Sequence, residues 1–427
     1  MPLADAPPGV FIGLTPQRAQ AEAAASLQRR REGHALGPLD GVRTSWKDLF
    51  DVAGTPTTCG SRLTSSDARA HDAEAVAHLA AAGAVCVGKT GLSEFAFSGL
   101  GVNPHFGTPR NPALPPGDER VCGGSSSGAA AAVALGLCEL AVGTDTSGSV
   151  RVPASFTGLA GFRASAARYP KAGLWTLSPT LDAIGLIARR VDLIAATDAV
   201  LARAPQDDVR EHGAAPRFVV DAEGPPGIDV DPDVATALSR FAKRLRDAGY
   251  VVQHAPHRHV HAVQALFERH GTLVAAEALQ TLGRWLGPAT APQLDPRIRE
   301  RLQQTRKALR PGAAAALRQA RFTLIARLSE NTPGPTVFLS PTTPGTAPCL
   351  REIQHPEAFH AANRRALSLT MPGSFLDMPG LALPSGIDAH GAPTSVLLSV
   401  PQGRDAFLLR LGCRLERDGL LAPRTPP

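Results

Sequence analysis

An α/β fold is predicted from two observations. Short apolar, strand-like segments alternate with segments of helical periodicity along most of the chain. The 427 residues, 43% hydrophobic and 19% charged, are also enough for one large α/β domain with insertions or for two to three smaller ones. In chain order, residues 17–32 read as an alanine- and arginine-rich helix and 41–46 as a strand. DAEAVAHLAAAG (72–83) places Ala75, Val76, Leu79 and Ala80 on one face and ends at Gly83, which marks a helix. AVCVGK follows as a buried strand, then a helix over about 126–136, a strand near 139–143 and a long helix over 191–204.

From about 205 to 216 the composition turns to Pro, Gln, Asp, Glu and Gly, an expected edge of the first half. Beyond it PRFVVD reads as a strand, 232–248 as a helix stopped by Gly249, and YVVQHA as a strand. Residues 261–330 read as mostly helical, interrupted at GPATAPQLDP. A strand is expected within TPGPTVFLSPTTPGTAP, another at 395–400, and a closing helix at 404–418.

Several function classes are disfavoured at this level. No stretch supplies the roughly 20 apolar residues needed to cross a bilayer, and the run at 128–142 reads as a buried helix. The first residues lack a basic segment followed by a long apolar one, so no signal peptide is read and a cytoplasmic location is expected. The six cysteines are scattered, with no close pair, and are expected as free thiols. His254, His257, His259 and His261 cluster without acidic or cysteine partners close in sequence, so a solvated segment is expected there and no metal site. The net charge of +6 comes with only 5% aromatic residues and no basic stripe, which argues against nucleic acid and leaves attraction of anionic substrates open.

Three residues stand in small-residue settings suited to nucleophilic catalysis: Lys47 in SWKDLF, Ser125 in GGSSSG and Ser149 in GTDTSGSVRVP. Lysine is scarce in this arginine-rich chain, and only lysine can lose its proton on burial and act as a base. A structural lysine is the competing reading. Serine attacks only when a base takes its proton and donors hold the oxyanion that forms. The turn Thr146, Ser147, Gly148, Ser149 could aim consecutive backbone N–H groups at one point, although the same composition also makes plain turns. GGSSSG lacks the GK[ST] ending of a phosphate-binding loop and does not match G-x-S-x-G.

The motifs GPLDGVRTSWKDLFDVAGTPTTCGS, VGKTGLSEFA, NPHFGTPRNP, GGSSSGAAAAVALG, GTDTSGSVRVPASFTGLAGFR and SPTLDAIGLIAR together resemble the amidase signature family of serine hydrolases. The likeness is strong over about 35–200 and looser over 335–417. It implies a single large α/β domain over 35–420, with a mixed central sheet covered by helices on both faces. Residues 1–34 would be a helical lead-in and about 205–332 a variable helical cover over the pocket. It further implies a Ser, cis-Ser, Lys triad, with Ser149 as acylated serine, Ser125 as bridging serine and Lys47 as base. The oxyanion hole would be the backbone of Thr146, Ser147, Gly148 and Ser149, and Phe97 would line the acyl pocket unless it is ordinary core. Asp145 and Arg151 are expected as a buried pair holding the turn, Ser126 and Ser127 as helix-start residues, and Cys122 as an inert thiol.

The implied reaction is hydrolysis of an amide, or of a related ester, carbamate or urea-type bond, without metal or organic cofactor. A small amide-type molecule is the expected partner, with a homodimer allowed and neither nucleic acid nor membrane required. Two alternatives stand beside it: a glutaminase-type subunit feeding ammonia to an amidotransferase partner, and a non-enzymatic basic binding protein.

Overall fold

The computed structural model describes residues 2–202, 215–221 and 224–422. Most of the 205–216 boundary segment therefore lies outside the described residues. Eleven strands form one sheet: β1 Phe11–Leu14, β2 Arg43–Lys47, β3 Val85–Thr90, β4 Leu140–Thr144, β5 Ala160–Arg163, β6 Ile184–Ala188, β7 Arg217–Val220, β8 Val251–His254, β9 Thr336–Pro341, β10 Gly380–Ile387 and β11 Pro393–Ser399. Their order is β1-β3-β2-β4-β6-β5-β10-β11-β9-β7-β8. Parallel pairs β3–β2–β4 and β9–β7–β8 flank a block of antiparallel pairings, so the sheet is mixed, as expected.

The central strands β2 to β6 are almost wholly buried and read as continuous runs such as LAVGT and IGLIA, the pattern of strands covered on both faces. The helix Ser127–Ala134 is buried on every side, which its all-small, all-apolar sequence permits. Helix Pro232–Asp247 instead buries one stripe, Val234, Ala237, Leu238, Phe241, Ala242 and Leu245, and turns Arg240, Lys243 and Arg246 outward. Each fully buried Leu or Phe of such a stripe contributes roughly 1.5–3 kcal/mol of transfer free energy.

The lead-in is more than helical. Phe11–Leu14 adds an antiparallel edge strand to β3 before the helix Pro16–Arg31 begins. Four strands had no clear signal in sequence, β1, β5, β6 and β10, because each is short or glycine-rich and gains its partners only across the sheet. The expected helical region resolves into helices Arg258–His270, Leu273–Leu282, Pro296–Ala308 and Ala313–Glu330. Its first helix corrects the expectation of a solvated histidine segment. His257 is buried, its Nε2 lies 2.9 Å from Val219 O, and the His259 ring packs 4.3 Å from that of Phe338. Those two rings pack against β7 and β9, and burial there favours the neutral imidazole, pushing His259 down to about 3.

Candidate active site

β2 ends in Lys47 and the adjoining parallel strand β4 ends in Thr144. The Lys47 ammonium group is fully buried, with Nζ 2.7 Å from Ser125 Oγ and 2.8 Å from Thr144 Oγ1. Burial lowers its pKa to about 7, and the more distant charges of Asp182 and Asp145 only partly oppose that. The adjacent carboxylate, Asp48, is committed elsewhere: it lies 2.6 Å from Lys89 Nζ on the neighbouring strand. Among the described residues no carboxylate sits at ion-pair distance from Lys47.

Ser125 opens the segment leading into helix Ser127–Ala134, and the Gly124–Ser125 peptide is cis. A loop over 93–101 grips this segment: Ser93 N donates to Ser125 O at 3.2 Å, and Gly124 N donates to Gly99 O at 2.8 Å. A Cβ on Gly124 would collide with the Gly101 amide, so the approach demands glycine. Ser126 N then donates to Ser149 O at 3.2 Å and ties the two serine segments together.

The Asp145 carboxylate organises the turn that carries Ser149. It accepts from Gly148 N at 2.7 Å, from Val150 N at 3.2 Å and from Arg151 N at 3.3 Å, and it pairs with the Arg151 guanidinium at 2.9 Å. Burial pushes this carboxyl up, but Arg151 and Arg163 outweigh it and hold it at about 2. This is the buried pair expected from sequence. Thr370 Oγ1 donates to Ser147 O at 2.6 Å, and a Cβ on Gly148 would strike that hydroxyl. Thr146 Oγ1 donates to Asp182 Oδ1 at 2.6 Å.

The four expected oxyanion donors are not equivalent. Gly148 N–H is consumed by Asp145, whereas the N–H groups of Thr146, Ser147 and Ser149 meet no acceptor among the described residues. Ser147 adds a buried hydroxyl without a hydrogen-bond partner. Phe97 is buried in the cluster around Phe95, Leu177 and Phe375, and its ring lies beneath the Arg301 guanidinium, 3.9 Å from Cζ to centroid. Burial raises the Cys122 thiol far above its ordinary pKa, in keeping with the expectation of an inert thiol. Among the described residues no group of three or more His, Cys, Asp or Glu side chains is arranged to hold a metal ion.

Sequence reasoning brought Lys47, Ser125 and the 145–151 turn forward; the fold joins Lys47 Nζ to Ser125 Oγ and ties the two serine segments through Ser126 N and Ser149 O. It missed Thr144, Asp182 and Thr370. Thr144 and Asp182 lie inside motifs already singled out, so a donor and acceptor inventory of those motifs was the available signal. Thr370 carried none, because its contact to Ser147 spans 223 residues.

These features define an α/β fold that gathers buried serines and a buried lysine at the ends of its central strands. The Amidase family model matches residues 8–409, and the chain belongs to that family. It is 35% identical over 93% of its length to a 2-amino-5-chloromuconic acid deaminase of Comamonas testosteroni, of which the match covers 86%. It is 31% identical over 95% of its length to the A subunit of a glutamyl-tRNA(Gln) amidotransferase of Chloroflexus aurantiacus, covering 88% of that protein. A solved amidase structure superposes with a TM-score of 0.82 at 31% identity, over 97% of this chain and 92% of the other. The protein is an amidase-family enzyme of carbon–nitrogen amide bonds, and no described helix is long and apolar enough to cross a membrane.

Proposed function

We propose that the protein is a free-standing amidase working through an acyl-enzyme on Ser149, with Ser125 and Lys47 as proton relay. The observation that carries this reading is Lys47: a fully buried amine with a pKa of about 7, 2.7 Å from Ser125 Oγ. A neutral Lys47 accepts the Ser125 proton while Ser125 takes the proton of Ser149, whose Oγ bonds to the amide carbonyl carbon. The oxyanion is held by the free N–H groups of Thr146, Ser147 and Ser149. The relay returns a proton to the departing amine as the C–N bond breaks. Water then attacks the ester, giving the carboxylic acid and free Ser149.

The domain assignment belongs to the same proposal: one catalytic domain over 35–420, with the helices between Arg258 and Glu330 covering the pocket and Phe97 lining its acyl side. The relation to an amidotransferase keeps a second reading, ammonia supply to a partner. A panel of anilides, primary amides, carbamates and glutamine, given to the isolated chain, separates the two. Turnover of simple amides with a serine-directed inhibitor adduct mapping to Ser149 is the expected outcome. Glutamine hydrolysis seen only with an added partner would favour the second reading, and an adduct on Ser125 would overturn the assignment of the nucleophile.

A further inference from the structure

Helix Leu273–Leu282, in the cover, carries one charged residue, Glu277, and that residue is buried. A carboxylate taken out of water is tolerated only where donors replace its hydration. Here the donors come from outside the helix. Ser178 Oγ and Thr180 Oγ1 donate to its two oxygens at 2.6 Å each, Thr180 N adds a bond at 3.1 Å, and Arg318 of helix Ala313–Glu330 adds a fourth at 3.3 Å. Hydroxyl-to-carboxylate bonds of that length are of the strong, charge-assisted kind. Thr281, one turn along the same face, donates its Oγ1 to Leu177 O at 3.0 Å, and Val274, Ala278 and Leu282 share an apolar cluster with Leu177 and Leu181. The cover thus grips the segment 177–182 by polar and apolar contacts together.

The far end of that segment is Asp182. Its Oδ2 accepts from Leu177 N at 2.8 Å and from Ser178 N at 3.1 Å, closing the segment on itself, and its Oδ1 accepts from Thr146 Oγ1 at 2.6 Å, on the turn that leads to Ser149. Ser178 stands at the junction: its amide serves Asp182 and its hydroxyl serves Glu277. A displacement of Ser178 therefore reaches Thr146 through one intervening side chain. The charged groups along this path are Arg318 and Arg321 toward Glu277, and Lys171, whose Nζ donates to Asp182 O at 2.6 Å. The charges that act on Lys47 are those of Asp182 and Asp145, so Glu277 can reach Lys47 only by way of Asp182.

We propose that Glu277 is a positioning residue for the reaction: by holding Ser178 and Thr180 it fixes Asp182, and through Asp182 it fixes the Thr146 end of the oxyanion turn. This rests on the reading of that turn as the oxyanion hole and of Lys47 as the base. The cover then takes part in catalysis without touching the reacting atoms. A small misplacement of the donors slows the chemical step, where the oxyanion forms, and leaves binding of the uncharged ground state nearly alone.

The test compares Glu277→Gln, which keeps the shape and removes the charge, with Asp182→Asn and with the double variant, all in the full chain and on the best amide of the panel. Glu277→Gln should lower kcat about tenfold while KM changes less than about twofold. It should also move the acid-side midpoint of kcat/KM to lower pH, because Asp182 raises the Lys47 pKa and its hold is loosened. The double variant should be no slower than Asp182→Asn alone, since both changes interrupt one path. If Glu277→Gln does not fold, Ser178→Ala and Thr180→Val, each of which takes one hydroxyl from the same carboxylate, should show the same changes at smaller size. A Glu277 that only stabilises the cover would lower the melting temperature and leave kcat and the midpoint native, and that result in a folded variant overturns the proposal. Losses in kcat that simply multiply in the double variant overturn it as well. A wild-type profile with no midpoint at about pH 7 would instead remove Lys47 as the base, and the kcat comparison would still decide whether Glu277 acts through Asp182.

Discussion

The strand ends around Lys47 and the helical cover between Arg258 and Glu330 each hold a cation with no carboxylate at ion-pair distance among the described residues, and they differ in what surrounds it. In the sheet region each buried guanidinium has a protein carboxylate: Arg151 faces Asp145 at 2.9 Å and Arg163 faces Asp377 at 3.0 Å. Small residues, Gly124 and Gly148 among them, let backbone groups approach closely enough to complete the remaining bonds. In the cover, Arg301 has a carbonyl and an aromatic face and nothing more. The difference teaches that the strand ends are organised by contacts within the protein, whereas the cover holds its guanidinium on a carbonyl and a ring face. Changes in the first should abolish chemistry on every substrate. Changes in the second should lower the rate without abolishing it, most at Glu277, which ties the cover to Asp182 through Ser178.

The largest effect that could break this contrast is loss of the nucleophile. Ser149→Ala should reduce kcat on all amides at least about 1000-fold, by the scale of such losses in serine hydrolases, measured with folding checked by circular dichroism. If that variant lost activity on some amides and kept it on others, the division between the two regions would collapse. Lys47→Arg comes next. It keeps the positive charge and removes the neutral form, so turnover should drop at least about 100-fold, whereas near-native rates would show that Lys47 is not the base.

A pH profile sharpens the comparison within the sheet region. Because the Lys47 pKa is lowered by burial to about 7, the amine is protonated and idle below that value and neutral above it. kcat/KM should therefore rise about tenfold per pH unit on the acid side and level off above roughly pH 7, since this ratio reports groups of the free enzyme. Asp182 raises the Lys47 pKa, so Asp182→Asn should move the midpoint to lower pH; a midpoint that stays put or rises would mean the carboxylate does not act on the relay. The smallest expected effect is none at all. Dialysis against a strong chelator should leave activity unchanged, since every task in the proposed relay already has a residue, and activity lost to chelation and restored by zinc would sink the mechanism.

Much of the sheet region was legible in advance. The segments GGSSSG and GTDTSGS are local: each sets its own turn through glycine, whereas Lys47 in SWKDLF stands out by the scarcity of lysine in this arginine-rich chain. Helix Pro232–Asp247 was legible for a similar reason, since its apolar residues repeat at helical spacing. The strands β5, β6 and β10 were not, because their pairing is decided by residues far away in sequence. The histidine segment misled because its polar composition suggested solvent, and only the fold laid His257 and His259 against β7 and β9.

By itself, then, the sequence determined the α/β class and the family resemblance, and singled out Lys47, Ser125 and Ser149 as candidates, because these depend on short-range periodicity and on local motifs. Only the tertiary structure decided that Asp48 is spent on Lys89 rather than on Lys47, that Gly148 N–H is spent on Asp145, and that Arg301 rests on the Phe97 carbonyl and ring with no carboxylate partner among the described residues. The physical reason is that a group's protonation and its free hydrogen-bonding capacity are set by the neighbours that packing supplies, and those neighbours are distributed over the whole chain.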